Sequence, residues 1–594
     1  MAKIRVIING NEVLAPLGAT VLEAASQAGI TIPTLCHHRA LKPIGACRIC
    51  VVDIKGQRNL QAACAFPISE GMEIETENPR VVAARKLILD MLFSERNHYC
   101  PFCEASGDCE LQNLGYRYGI DHWVYPTYTE EFGLDATRAT FVMDQNRCVL
   151  CQRCARGCGE LVANHTLGLR QRGAESMIHA DAEVPFGQST CISCGTCLEV
   201  CPTGAIIDRR SSFMGRGDQS EYVKSVCSKC SVGCGMQIMT RGGNVLRIES
   251  DWDSPVNGGL LCKIGRFDPL YDNRTRLAQP MLRRKGKLEP ASWSDALKAI
   301  AKRLDDAEAK EIGLLVSGDA TNEALYLAGR LFQKEMRAKN VGLLSGAAPE
   351  WIDKKPGTFN DLVGSGMILV VGANPAKDQP VASFIVKRLV DKGARLVVVD
   401  DGENGLSPFA ETTLKLADIG KALEMAGEVD RVTVLYGTGL TEKAARTLKK
   451  LGKKTAYVAL EPGFNTRAAV TLGMNNGFKA SAAKVLYVLQ GEKDWDSSEI
   501  LTAAGNGAFI VAQASYASAL TDRADVVLPS AIWSERSGSL TNTEGSILMA
   551  NRAVEPAGEA KPDWEILSLL ADKLGKKLGA SFDDISARAA KELK

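Results

Sequence analysis

The stretch that decides the fold is Cys148-Val-Leu-Cys151-Gln-Arg-Cys154-Ala-Arg-Gly-Cys158, which returns as Cys191-Ile-Ser-Cys194-Gly-Thr-Cys197-Leu-Glu-Val-Cys201. Both copies have the spacing C-x2-C-x2-C-x3-C, so the segment is an internal duplication. Three thiolates of such a loop meet one [4Fe-4S] cluster, and the fourth reaches the neighbouring cluster. Structural zinc sites use two separated pairs instead, which makes zinc the disfavoured alternative. The predicted ligand sets are Cys148, Cys151, Cys154 and Cys201 for one cluster, and Cys158, Cys191, Cys194 and Cys197 for the other.

The remaining cysteines flank this duplication. All 19 cysteines of the chain lie between Cys36 and Cys262. A disulfide framework is typical of small secreted chains, whereas this chain is large and its N-terminus lacks a long apolar leader, so metal ligation is predicted. The flanking groups are Cys36, Cys47, Cys50 and Cys64; Cys100, Cys103 and Cys109; and Cys227, Cys230, Cys234 and Cys262.

A count of ligands singles out one histidine. Five clusters need about twenty ligands, and only the group at Cys100 is one short. His98, two residues before Cys100, is the candidate for the missing ligand through a neutral imidazole nitrogen. The alternative is that His98 is a polar loop residue and another group completes the site. The remaining histidines are interpreted as non-ligands: His37, His38, His122, His165 and His179.

Composition narrows the class of protein. The chain has 594 residues, is 45% hydrophobic and 24% charged, and carries a net charge of +1. Several globular domains are expected at this length. The balanced charge gives no reason to expect nucleic acid as a partner, and no apolar run reaches the roughly 18 residues of a membrane span. We therefore predict a cytoplasmic protein without a membrane span, with the cytoplasmic face of a membrane complex as one location.

Local signals before the duplication predict two small domains. Residues 4–14 contain two β-prone runs around Asn9-Gly10, a hairpin turn, and Thr20 with Glu23 forms a capping box for a short helix. These features predict a β-grasp domain over 1–78. Asn78-Pro79 then begins a predicted helix over 80–95 in a second domain, 79–137, while the duplication occupies a ferredoxin-like domain over 138–215.

The C-terminal half has a different hydrophobicity pattern, in which short apolar runs alternate with segments of helical periodicity. This alternation predicts an α/β domain with a parallel sheet. A turn at 436–440 follows a strand but lacks the third glycine of a dinucleotide fingerprint, so it is weak evidence for such a site. The predicted strands are 312–316, 367–371, 395–399, 432–436, 454–458, 485–489 and 509–512, and predicted helices include 293–306 and 382–392.

These motifs make residues 1–215 similar to a known iron-sulfur module. It is shared by the large subunit of NADH:quinone oxidoreductase (complex I), iron-only hydrogenases and the diaphorase subunit of NAD-reducing hydrogenases. The resemblance implies a [2Fe-2S] centre on Cys36, Cys47, Cys50 and Cys64, and a histidine-ligated [4Fe-4S] centre on His98, Cys100, Cys103 and Cys109. Complex I usually has H-x3-C in the second motif; Arg96 and the H-x-C spacing here resemble the hydrogenase diaphorase more.

Residues 219–560 resemble the molybdopterin oxidoreductase superfamily in its complex I-like form. The matching pieces are the last four cysteines with Lys263, then 372–375, 397–400, 524–529 and 541–545. The resemblance implies a [4Fe-4S] domain over 219–275, with Cys227, Cys230, Cys234 and Cys262 as ligands. Catalytic members use a cysteine or selenocysteine with a histidine, both missing after residue 262. We therefore expect 276–594 to be a truncated, degenerate α/β domain without molybdopterin.

The function predicted from this resemblance is electron relay, with no substrate-converting site of its own. One [2Fe-2S] and four [4Fe-4S] clusters would connect a flavin- and NAD-binding subunit to a partner enzyme. Hydrogenase-type assemblies, including bifurcating ones, rank before complex I-like ones. Expected partners are a small thioredoxin-like [2Fe-2S] subunit and hydrogenase or formate dehydrogenase subunits, or ferredoxin. The alternative is a molybdenum or tungsten formate dehydrogenase-like catalytic subunit.

Overall fold

A computed structural model describes residues 2–122, 124–126, 132–346, 355–452, 454–475, 478–479, 483–496, 498–504, 507–579 and 581–593. The chain divides into two compact units, Met1–Glu221 and Tyr222–Lys594. Among the described residues, no helix is both long and apolar enough to cross a bilayer.

The first unit opens with the predicted hairpin and helix, and both predictions are confirmed. β1 (Lys3–Ile8) and β2 (Asn11–Pro16) pair antiparallel around Asn9 (φ 51°) and Gly10 (φ 77°), the two positive φ angles of a type I′ turn. α1 (Val21–Gln27) begins at a capping box in which Thr20 and Glu23 bond reciprocally. β3 (Val51–Ile54), β4 (Gln61–Ala62) and β5 (Glu73–Glu75) complete a sheet in the order β2-β1-β5-β3-β4.

Two helices then build a core beneath the cysteine loops. α2 (Pro79–Glu95) begins as predicted, with the Asn78 side chain accepting a hydrogen bond from the Val81 N–H. α3 (Glu110–Tyr118) follows Cys109 directly. Because residues beside three cysteine groups share this core, packing fixes these loops relative to one another. The core contains Leu35, Cys36, Ile49, Leu89, Phe93, Leu111, Leu114, Tyr118, Val149 and Cys151.

The duplicated segment repeats in conformation as well as in sequence. α4 (Arg153–Arg156) and α5 (Thr196–Glu199) each carry the third cysteine of their copy, and their N-cap residues, Gln152 and Gly195, both have left-handed backbones. Antiparallel pairs support the two loops. These pairs are β6 (Leu134–Asp135) and β7 (Phe141–Asp144), β8 (Leu167–Arg170) and β9 (Met177–Ala180), and β7 with β10 (Ile206–Asp208).

The second unit begins with a small antiparallel sheet that carries the last four cysteines. It contains β11 (Glu221–Val226), β12 (Gly235–Arg241) and β13 (Asn244–Ser250). Three cysteines lie in the loop between β11 and β12, and Cys262 is the N-cap of α6 (Lys263–Arg266).

Two larger sheets follow, and the seven strands predicted in this half are confirmed. Their strands are β14 (Met281–Arg284), β15 (Lys287–Pro290), β16 (Ile312–Val316), β17 (Asn340–Leu343), β18 (Met367–Val371), β19 (Arg395–Val399), β20 (Thr412–Leu414), β21 (Val432–Tyr436), β22 (Thr455–Ala459), β23 (Val485–Gly491), β24 (Phe509–Ala514) and β25 (Val526–Pro529). A final hairpin pairs β26 (Gly538–Thr541) with β27 (Ile547–Ala550).

The topology differs from the single predicted sheet. One sheet has the order β15-β14-β25-β24-β23-β16-β17, and its five parallel strands read 2-1-3-4-5 in chain order. The other has the order β20-β19-β18-β21-β22 and is wholly parallel. The difference arises because β18 to β22 are inserted between β17 and β23, so neighbouring strands of the first sheet are far apart in sequence.

Helices cover these sheets. The helices predicted over 293–306 and 382–392 are confirmed as α7 and α10, with shifted ends. The set is α7 (Trp293–Asp305), α8 (Asn322–Ala328), α9 (Pro375–Asp378), α10 (Pro380–Val390), α11 (Ile419–Ala426), α12 (Glu442–Leu448), α13 (Thr466–Thr471), α14 (Ser498–Ala504), α15 (Ala519–Arg523), α16 (Asp563–Lys573) and α17 (Phe582–Glu592).

Candidate iron-sulfur sites

The first cysteine group forms one cluster of sulfur atoms in the β-grasp region. The Cys36 N–H lies 3.3 Å from the Cys47 Sγ, and the Cys47 N–H lies 3.5 Å from the Cys36 Sγ. Hydrogen bonds from the Cys47 and Cys64 thiols lower the pKa of Cys36, and one from the Cys64 thiol lowers the pKa of Cys50. The contacts Cys36–Cys47, Cys36–Cys64 and Cys50–Cys64 therefore link all four predicted sulfur donors.

The second group surrounds a cavity between α2 and α3, here called the His98 cavity. The His98 ring is 7% exposed and bonds the Leu92 backbone, while its Nε2 is buried without a hydrogen-bond partner. Burial, then the charges of Arg147 and Arg96, lower the pKa of His98 to about 4, so the ring is neutral at pH 7. The cavity is lined by Phe93, His98, Cys100, Cys103, Ser106, Cys109, Leu111, Gln112, Arg147, Thr203 and Gly204.

An imidazole in this state suits a metal ligand. Because Nε2 has no partner, the bond to the Leu92 backbone involves Nδ1, and a carbonyl acceptor there leaves the lone pair on Nε2. The unmatched polar atom costs free energy in a buried site unless a ligand or water meets it. The structure thus brings His98 together with all three cysteines of its group.

The duplicated segment contains two further cavities. Each is lined by one of the two predicted ligand sets, in which the fourth cysteine of one copy joins the first three of the other copy. The first, the Cys151 cavity, is lined by Cys148, Cys151, Cys154 and Cys201. The second, the Cys194 cavity, is lined by Cys158, Cys191, Cys194 and Cys197. Including their open parts, the Cys151, His98 and Cys194 cavities measure about 360, 310 and 330 Å³.

The last group, here called the Cys227 set (Cys227, Cys230, Cys234 and Cys262), lies beside β12. The Cys227 N–H donates to the Cys234 carbonyl at 2.8 Å. Burial, and then the negative charges of neighbouring thiolates of the set, raise the pKa of the Cys230 and Cys234 thiols. Such thiols stay protonated unless a metal takes the proton's place.

The donor sets fit iron-sulfur clusters. Sulfur donors suit iron bridged by sulfide, and no disulfide joins any of the 19 cysteines, all of which are described. In the described ranges, no three His, Cys, Asp or Glu side chains converge as for a single metal ion, and three of the sets surround cavities instead. Gly204 supports this fit, since a Cβ there would lie 2.6 Å from the Cys103 Sγ.

A half-buried arginine, Arg156, and a buried one, Arg153, connect the cysteine loops, a feature that the sequence prediction missed. Arg156 Nη2 donates to the carbonyls of both Cys36 and Cys151, residues of two different sets. Arg153, between Cys151 and Cys154, forms a two-point ion pair with Glu110, at 2.6 and 2.8 Å. The available signal was an arginine placed inside a ligand loop, where charge is costly to bury unless it has a partner.

Glycine turns close the crevice of the wholly parallel sheet β20-β19-β18-β21-β22. Ligands of such sheets bind at the carboxyl ends of the strands, where the strand order reverses; here that point lies between β18 and β21. The Gly439 N–H donates to the Gly372 carbonyl at 2.9 Å, and a Cβ on Gly372 would lie 2.4 Å from the Gly439 backbone. The turn at 436–440 therefore packs against protein instead of leaving space for a pyrophosphate.

The 541–545 motif also bonds to protein. The Asn542 side chain donates to the Val232 carbonyl at 3.2 Å, and the Thr543 N–H donates to the Ser231 carbonyl at 2.8 Å. The Thr543 hydroxyl donates to the Ala459 carbonyl. Through Val232 and Ser231, these bonds hold the 541–545 motif against the loop of the Cys227 set.

Five family models match successive parts of the chain. In order, they describe a 2Fe-2S iron-sulfur cluster binding domain (1–79), the NADH-ubiquinone oxidoreductase-G iron-sulfur binding region (85–123), the ferredoxin-like domain of NADH-quinone oxidoreductase subunit 3 (139–207), the molybdopterin oxidoreductase Fe4S4 domain (220–269) and molybdopterin oxidoreductase (276–573). The last model matches half of the chain. The multidomain fold class is confirmed.

Known proteins match along the same length. A G-type NADH-quinone oxidoreductase subunit of Rhizobium meliloti is 31% identical over 487 residues, covering 79% of this chain and 56% of that protein, so the chain spans little more than half of that relative. The mitochondrial 78 kDa subunit of NADH-ubiquinone oxidoreductase from Candida albicans is 27% identical over 622 residues, covering 98% of this chain and 84% of that protein. The NADPH-Fe(3+) oxidoreductase subunit alpha of Geobacter sulfurreducens is 26% identical, covering 96% and 81%.

These matches confirm the resemblance predicted from the motifs. The cysteine groups fall within models for two-iron and four-iron domains, and the α/β half falls within the largest model. The chain belongs to the molybdopterin oxidoreductase family and is a homologue of the 78 kDa (G-type) iron-sulfur subunit of NADH-quinone oxidoreductase.

Proposed function

We propose that this chain is the iron-sulfur electron-relay subunit of a multi-subunit NAD(H)-linked oxidoreductase. It would hold one [2Fe-2S] cluster on Cys36, Cys47, Cys50 and Cys64. It would also hold four [4Fe-4S] clusters: one on the ligands around each of the His98, Cys151 and Cys194 cavities, and one on the Cys227 set. When bound, such clusters supply one-electron transfer, and the protein tunes their potentials through burial, charge and hydrogen bonds to sulfur. The protein's task is therefore to space and tune the clusters.

The observation that carries this proposal is the direct connection between neighbouring sites in the first unit. A single nitrogen of Arg156 bonds the backbones of Cys36 and Cys151. Thr203 lines both the His98 and the Cys151 cavities. After burial as the larger cause, Cys197 raises the pKa of Cys154, and Cys201 of the first set raises the pKa of Cys197. The Cys151 cavity thus adjoins the other three sites, as a junction in a relay would.

The proposed partner subunits supply the NAD(H) and flavin sites for which this chain shows no convincing motif. The 436–440 turn is closed by Gly372, so we propose that a separate flavoprotein subunit binds NAD(H) and flavin, with a small thioredoxin-like [2Fe-2S] subunit beside it. The H-x-C spacing of His98 and Cys100 favours a hydrogenase-type assembly, including a bifurcating one, over a complex I-like one. The far partner would be a hydrogenase or formate dehydrogenase subunit, or ferredoxin.

We also propose that the α/β half holds no molybdopterin, despite its family. It lacks cysteine and histidine after residue 262, and the 541–545 motif is bonded to the loop of the Cys227 set. A formate dehydrogenase-like catalytic role would need a metal ligand of another kind. The half is instead proposed as a degenerate scaffold that supports the fifth cluster and partner subunits.

Reduction by NADH tests the relay assignment. We expect NADH or NADPH to leave the clusters of the isolated chain oxidised, and to reduce them once the copurifying flavoprotein subunit is added, because hydride must first be split into single electrons on a flavin. Dithionite should reduce the clusters in both samples, which controls for cluster integrity. Electron paramagnetic resonance (EPR) under anaerobic conditions measures the result. Reduction of the isolated chain by NADH would overturn the proposal.

A further inference from the structure

A buried ion network lies at the carboxyl end of β23, beside the loop of the Cys227 set. Lys229, between Cys227 and Cys230, has its Nζ 2.8 Å from the Glu492 Oε2, with side-chain exposures of 25% and 5%. The Arg536 guanidinium lies 3.5 Å from the Glu492 Oε1 and 2.9 Å from the Asp563 Oδ2. The network thus places one cation and one buried anion next to a ligand loop.

Both charges act on the Cys227 sulfur. Burial raises the pKa of the Cys227 thiol; the Lys229 backbone N–H and then the Lys229 ammonium lower it, and Glu492 raises it. Burial also raises the pKa of Glu492, but Lys229 and Arg536 outweigh it, and the pKa lies below its usual value. Glu492 is therefore ionised at neutral pH, and the Cys227 sulfur experiences two opposing fields.

The Lys229 side chain is not what holds the loop. The loop backbone is fixed by the Cys227 N–H bond to the Cys234 carbonyl at 2.8 Å and by the Thr543 N–H bond to the Ser231 carbonyl at 2.8 Å. If Lys229 is neutralised, Glu492 keeps its contact with Arg536. The charge can thus be changed while the backbone frame of the site remains.

We propose that the Lys229–Glu492 pair sets the reduction potential of the cluster on the Cys227 set. This inference rests on the proposed function, which assigns a [4Fe-4S] cluster to those four cysteines. Reduction adds one negative charge to the cluster, so a nearby cation favours the reduced state and a nearby anion opposes it. Salt screens such a partly buried pair less than an exposed one. Lys229 and Glu492 are positioning residues that act through the field on sulfur.

Variants of the full-length, cluster-loaded protein test this inference in an EPR-monitored redox titration. Lys229→Met should lower the potential of one four-iron signal, with at least a tenfold change in its oxidised-to-reduced ratio at fixed potential, equal to about 59 mV for one electron. Glu492→Gln should shift the same signal in the opposite direction. Lys229→Arg, which keeps the charge, should stay near the wild type. Lys224→Met removes a lysine that is 62% exposed and should shift nothing.

A Cys262→Ser variant identifies the signal, which should disappear from it. If the wild type and this variant have the same four-iron signals and iron content, the cluster assignment fails, and with it the proposed function at this site. If the signal is assigned but Lys229→Met and Glu492→Gln leave it unmoved, or shift it in the same direction, this inference is overturned alone. Should Lys229→Met lose iron, the Glu492→Gln shift and the Lys229→Arg control decide the matter.

Discussion

Replacing His98 with alanine should remove about four of the chain's irons and one four-iron EPR signal. His98 Nε2 is buried without a partner in a cavity with three thiols, and alanine leaves that cluster with three ligands. His98→Cys should keep about four irons there and shift the signal to lower potential, because a thiolate adds negative charge. Iron analysis and EPR of anaerobically purified variants measure both effects.

The matched control is His38→Ala. His38 also lies two residues from a cluster cysteine, and burial lowers its pKa to about 4, as it does for His98. Its Nδ1 accepts a hydrogen bond from the Ala40 N–H at 3.3 Å. This variant should keep every signal. Full iron and an unchanged spectrum in His98→Ala would show that another group completes the site.

Replacing Arg85 with methionine should destabilise the first unit by about 3 kcal/mol or more. Arg85 is 0% exposed and donates to the carbonyls of Ile49 and Val51 at 3.0 and 2.8 Å, and to the Tyr118 hydroxyl at 2.9 Å. Methionine fills the space but leaves these buried acceptors unpaired. Because Ile49 precedes Cys50, a proposed cluster ligand, the [2Fe-2S] spectrum should bleach more than about tenfold faster on chelator challenge, since about 1.4 kcal/mol is a factor of ten.

Arg80→Met is the comparison for this effect. Arg80 lies one and a half turns earlier on the same helix, is 51% exposed and pairs with Asp53 at 3.1 Å. An exposed pair contributes about 0–1 kcal/mol, so both the melting temperature and the bleaching rate should stay close to the wild type. Equal behaviour of the two variants would mean that Arg85 does not hold the Cys47–Cys50 loop.

The cysteine sets were predictable because their information is local. Spacing within one loop decides which thiolates can meet, so Cys148, Cys151 and Cys154 could be grouped. Cys201 could be added because the fourth cysteine of each copy reaches the neighbouring cluster. The hairpin at Asn9-Gly10 and the capping box at Thr20 are equally local, and both were confirmed. Buried strands such as Met367–Val371 were visible as continuous apolar runs.

Other features depend on partners far along the chain. Apolar runs do not reveal which strands become neighbours, so two sheets were predicted as one. Lys229 and Glu492 are 263 positions apart and meet only because β23 ends beside the cysteine loop. Nothing in the sequence marks Arg85 or Arg156 as a structural residue, since acceptors of both are backbone carbonyls that any residue carries.

The most direct test of the relay account is a metal and sulfide analysis of the anaerobically purified full-length chain. One two-iron and four four-iron clusters correspond to about 18 irons and about 18 acid-labile sulfides per chain. The account predicts this content without molybdenum, tungsten or zinc. Stoichiometric molybdenum or tungsten with pterin would contradict it, because the α/β half would then be an active site and not a scaffold.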